Sequence, residues 1–148
     1  MFFPKKIALS LTALFLLTTF QYPVLSSAQT SEQEQSTQLK VKPRPFFKKK
    51  RKIRGTWKII ESNNVTRILF SEDFKTKNGP DLKVFLSPVS YQDVNGENAI
   101  YEAVNLGILK SNKGSQSYII PESINLKDFS TILIHCEAYE KLWGGGVL

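Results

Sequence analysis

From Gly55 onward the chain alternates short apolar runs with turn-forming residues, at a spacing that suits strands rather than helices. Residues 55–61 (GTWKIIE) and 65–70 (VTRILF) are rich in β-branched and aromatic side chains and flank Ser62-Asn63-Asn64. Asparagine tolerates positive φ, so the two runs predict a hairpin. Residues 82–87 (LKVFLS), 105–110 (NLGILK) and 116–120 (QSYII) predict three more strands, the last two joined across 111–115, where Asn112 and Gly114 suit a turn. Residues 131–139 form a long run without Gly or Pro and predict a sixth strand, and residues 142–148 a seventh. Helical periodicity is missing over any useful length, beyond a single turn at 99–104. The pattern therefore predicts an all-β domain over residues 55–148, a small antiparallel β-sandwich or partly open barrel of about six to seven strands.

The final stretch concentrates the residue types that carry chemistry: the only histidine, His135, the only cysteine, Cys136, then Trp143 and a glycine triplet. Side chains alternate across a strand, so Ile132, Ile134, Cys136 and Ala138 share an apolar face, while Thr131, Leu133, His135 and Glu137 share a mixed one. The sulfur is expected to point inward and the imidazole toward solvent. While the strand stays regular, adjacent residues on opposite faces cannot both bind one metal or act as a nucleophile and base, so geometry disfavours a His-Cys metal pair and a cysteine-protease dyad fails. No metal ligands are assigned. Trp143 is expected to close one end of the core, with a bulge or bend after it. The triplet lacks the Lys and Ser or Thr of a phosphate-binding loop.

Charge divides the chain unevenly. Residues 1–28 read as an export signal, with Lys5 and Lys6 before an apolar run from Ile7 to Phe20 and a Ser26-Ser27-Ala28 cleavage site. The mature protein would begin at Gln29 and be extracytoplasmic, secreted or periplasmic. Residues 29–54 read as a disordered tether ending in a basic arm: they hold nine basic and two acidic residues, whereas residues 55–148 hold nine basic and eleven acidic. Lys48, Lys49, Lys50, Arg51, Lys52 and Arg54 are the candidate anion-binding residues, for an anionic cell surface or an acidic polysaccharide. No specific nucleic acid is expected, and Phe46 and Phe47 beside the run favour a surface contact. Like charges can also simply keep a linker extended.

Three segments resemble the DM-thirteen domain, the extracellular module of Skeletor-type proteins and of single-domain bacterial secreted proteins. They are ILFSEDFKTKNGPDLKVFLS, with Asp73-Phe74 and Gly79-Pro80-Asp81-Leu82; NLGILKSNKGSQSYIIP, with Leu106-Gly107, Gly114, Gln116, Tyr118 and Pro121; and HCEAYEKLWGGGVL. The resemblance implies a β-sandwich with an electron-transfer role and a redox partner protein. Its motif cysteine, proposed to act as a bare thiol or to hold a prosthetic group such as haem, falls on Cys136. His135 stands where that pattern usually has an aromatic residue. Two readings remain, a redox domain working through Cys136 and a non-catalytic module tethered to anionic surfaces by its arm.

Overall fold

The computed structural model describes residues 42–148; the expected export signal and most of the polar stretch after it lie outside them. Among the described residues eleven strands run in order: β1 (Arg44–Pro45), β2 (Phe47–Lys48), β3 (Ile53–Arg54), β4 (Thr56–Ser62), β5 (Val65–Phe70), β6 (Lys75–Thr76), β7 (Leu82–Ser87), β8 (Val104–Ile108), β9 (Gln116–Ile119), β10 (Thr131–Cys136) and β11 (Lys141–Val147). They build a four-stranded sheet in the order β1-β4-β5-β9, a five-stranded sheet in the order β2-β11-β10-β7-β8, and a small β3-β6 pair. Neighbouring strands in all three are antiparallel. The two larger sheets face each other across a shared apolar core, and the sheets stay open, so the fold is a β-sandwich rather than a barrel.

Local sequence accounts for most of this. Asn63 and Asn64 both take positive φ, 51° and 59°, in the tight turn that joins β4 to β5. Alternation along β4, β5 and β9 sends Trp57, Ile68, Phe70 and Tyr118 inward from one sheet, to meet Val84, Leu86, Ile132, Ile134 and Trp143 from the other. β8 and β9 are linked across 111–115 but enter different sheets, β8 beside β7 and β9 beside β5. Gln116 and Tyr118 hold that crossing together. Tyr118 donates its hydroxyl to Gln116 Oε1 at 2.6 Å and accepts from the Lys110 N–H at 3.0 Å, and Gln116 Nε2 donates to the Ser111 carbonyl at 2.8 Å. Burial pushes the Tyr118 phenol up to about 12, although the Lys110 N–H pulls the other way.

Three expectations need correction. The strand expected at 131–139 ends at Cys136, because residues 137–139 turn into a 3-10 segment that closes on Glu140 at φ 49°. The irregularity expected after Trp143 lies at it: β10 and β11 shift register between Ile134/His135, opposite Gly144 and Leu142, which leaves Trp143 as the extra residue. The triplet continues the strand, its missing side chains letting other groups close in. A Cβ on Gly144 would stand 2.5 Å from the Phe47 carbonyl, and one on Gly146 would strike the Trp57 indole nitrogen.

The third correction moves the start of the domain. Residues 44–54 are no free arm: β1 pairs with β4, β2 with β11 and β3 with β6, so the segment straddles both sheets. Phe46, between β1 and β2, is 6% exposed and inserts among Phe70 and Phe74, at centroid distances of 4.8 and 5.3 Å. Tyr91 clasps the segment from outside, donating to the Phe47 carbonyl at 2.9 Å. The folded domain from Arg44 to Leu148 holds sixteen basic and eleven acidic residues, so it is positive rather than mildly acidic.

Candidate functional site

Cys136 lies at the end of β10 with 0% exposure, within the main apolar cluster beside Ile134 and across the ladder from Leu82. It is a free thiol, and its inward direction follows the alternation of the strand. His135 faces the other way, as the alternation requires, but it does not meet solvent. The outer face of the five-stranded sheet is covered by a second apolar cluster, Phe85, Val94, Ala99, Leu133 and Leu142, much of it supplied by the long loop between β7 and β8. Beneath that loop His135 is fully buried. Its Nε2 lies 2.9 Å from the Gly96 carbonyl and is assigned as the N–H donor to it, and its Nδ1 has no partner among the described residues. The expectation of a solvent-facing imidazole is thus overturned by a loop whose covering role alternation along β10 could not announce.

A prosthetic group held by Cys136 needs space at the sulfur. Cys136 is enclosed on the core side, and neither it nor His135 lines any of the four surface clefts described for the domain. A group the size of haem does not fit against this thiol as packed. Near the same strand end, Lys83 pairs with Asp81 at 3.5 Å and with Glu137, whose carboxylate holds the ammonium above its ordinary value. These are the only ion pairs among the described residues.

The basic residues singled out from sequence are brought together on the folded edge. Lys48, Lys52 and Arg54 line an open cleft of about 530 Å³ with Lys75 and Lys77, over a floor of Phe46, Phe47 and Ile53. Lys50, Arg51 and Lys52 line an adjoining cleft of about 520 Å³ with Lys77 and Asn78. Lys49 turns aside, its ammonium 4.6 Å from the Tyr91 ring centroid, and Arg51 also lies over Trp143 at 5.3 Å. Among the described residues no carboxylate lines either cleft. Sequence reasoning missed Lys75 and Lys77, which follow β4 and β5 in the sequence, in and just after β6. Their alternation about Thr76 was the available signal, since Thr76 is buried and its neighbours are exposed.

An open antiparallel β-sandwich carrying one sealed thiol and one basic edge is the class of domain that these features define. The chain belongs to the DM13 family: the sequence model described as "Electron transfer DM13" matches residues 45–145, about two thirds of the chain, and its start coincides with the folded boundary at β1. No curated protein and no solved structure matches the chain. Several residues that carried the resemblance have structural reasons here. Phe74 fills the core, Gly79 gives room to Trp143, and Gln116 and Tyr118 lock the crossing between sheets.

Proposed function

We propose that the protein is an extracytoplasmic domain of the electron-transfer DM13 family, brought onto an anionic surface or an acidic redox partner by its basic edge. One observation supports this most: seven cationic side chains from two separate segments converge on two adjoining clefts, with no lining carboxylate among the described residues. A fixed array of this kind loses no chain entropy on binding, unlike a flexible tether, and it steers encounter through long-range attraction. The export signal read at residues 1–28 places the mature start at Gln29, which mass spectrometry of the exported protein checks. Binding to anionic vesicles should weaken steeply with salt, the Debye length being about 8 Å at physiological ionic strength. Replacing Lys50, Arg51 and Lys52 together with Glu should abolish it. Equal binding by that variant would overturn the reading.

A second reading makes Cys136 itself the redox group. It is favoured by the family's description and by Cys136 being the only cysteine in the chain. Thiol exchange requires direct attack on sulfur, so this reading requires the end of β10 to open. An electrochemical response shown by the native protein and absent from Cys136→Ala would support it; the same response in both would remove it.

A further inference from the structure

The two basic clefts share Lys52 and Lys77 but differ in character. The one toward Lys50 and Arg51 is lined by polar side chains alone, whereas the one toward Lys48 has Phe46, Phe47 and Ile53 as its floor. A polyanion needs only the charges. It gives no reason for a concave apolar recess of about 530 Å³, a size that falls among small-molecule sites. The recess is built rather than incidental. Its floor includes Phe46, locked in the core, and Phe47, which is 45% exposed and meets Tyr91 in a tilted ring contact with centroids 5.8 Å apart. Its wall includes Thr76, whose hydroxyl is already satisfied by the Lys52 carbonyl at 3.3 Å.

We infer that this cleft binds a small amphiphilic anion, with the acidic head at the wall formed by Lys52 and Lys77 and an apolar limb running over Phe47 and Ile53. The fitting class is a single-chain alkyl phosphate or carboxylate. The inference rests on the basic edge being an anion site, and it adds the apolar limb as the feature that selects the ligand.

The test is calorimetric titration of the mature protein with decyl phosphate below its micelle concentration, beside ethyl phosphate and decanol. Each methylene removed from water contributes about fourfold, so decyl phosphate should bind more than about tenfold tighter than ethyl phosphate. Decanol, which lacks the charge, should bind more weakly than decyl phosphate. Phe47→Ser should reduce the affinity for decyl phosphate and leave that for ethyl phosphate unchanged. The exposed pair Lys52→Glu with Lys77→Glu should remove both, while Lys127→Glu, on the turn before β10, should change neither. Equal affinity for decyl and ethyl phosphate would overturn the inference and leave the basic-edge reading standing. Equal affinity for decyl phosphate and decanol would overturn it by removing the charge. Binding of neither phosphate would overturn the inference, and the vesicle measurement then decides the basic-edge reading separately.

Discussion

The end of β10 lies at the centre of the five-stranded sheet, the basic edge where that sheet's outer strand β2 meets the small β3-β6 pair, and the two are opposite in kind. At β10 the sheet is covered on both faces, by the facing sheet over Cys136 and by the long β7–β8 loop over His135. At the β2 edge it is open, and the side chains that line it are cations with apolar floor residues between them. The residue types with the most obvious chemistry are the ones withdrawn from solvent, and a charge run that looked like a linker forms a shaped surface. A sheet's centre hides what its edge can present.

The largest expected effect tests whether the basic edge belongs to the fold. Phe46→Ala removes a ring packed on Phe70 and Phe74, and such truncations cost about 3 to 5 kcal/mol, read by denaturant unfolding. In a free tether it would cost nothing. Beginning the chain at Gly55 should be worse still, because it removes all of β1, β2 and β3.

Alkaline pH sharpens the contrast from the core side. Burial raises Tyr118 and Tyr91, and the Glu137 carboxylate raises Lys83. Groups raised in the folded state give their full stabilisation below their unfolded values and lose it as pH climbs through the folded ones. For Tyr118 the window runs from pH 10 to about 12, and the loss is at most about 2 to 3 kcal/mol. Stability should therefore fall over that window, and Tyr118→Phe should flatten part of the decline while costing about 1 kcal/mol at neutral pH for the lost hydrogen bonds.

Gly144→Ala separates the two regions more finely. Its Cβ would press on the Phe47 carbonyl, so β2 must shift, at a cost of about 1 to 3 kcal/mol. Binding at the basic edge should weaken while Cys136 stays protected. A small effect is expected at the thiol. Cys136→Ser places a hydroxyl in an apolar shell and should cost about 1 to 2 kcal/mol, with Cys136→Ala costing less, and neither should alter binding of anions.

How much of this was legible in the sequence follows from which interactions are local. Strands β5 and β7 fall where alternation and turn residues place them, and the Asn63-Asn64 turn announces its hairpin. The inward direction of Cys136 needed only the two-residue period of a strand. The covering of His135 depends on a loop some forty residues upstream in sequence, as its contact with Gly96 shows, so nothing in its own strand could reveal it. Residues 44–54 misled for a related reason: three two-residue strands are too short to show periodicity, and their charge masks the one buried ring, Phe46. Lys75 and Lys77 join the site only because β3 pairs with β6.

The central claim, that the thiol is sealed and the working surface is the basic edge, is tested most directly by the rate at which Cys136 of the native protein reacts with a soluble thiol reagent, compared with the denatured chain. Opening a core position costs several kcal/mol, so the native rate should be slower by about a thousandfold or more, and should rise to the denatured value only across the unfolding transition. Native Cys136 reacting as fast as the denatured chain would contradict the sealed placement and return the redox role to a bare, accessible thiol.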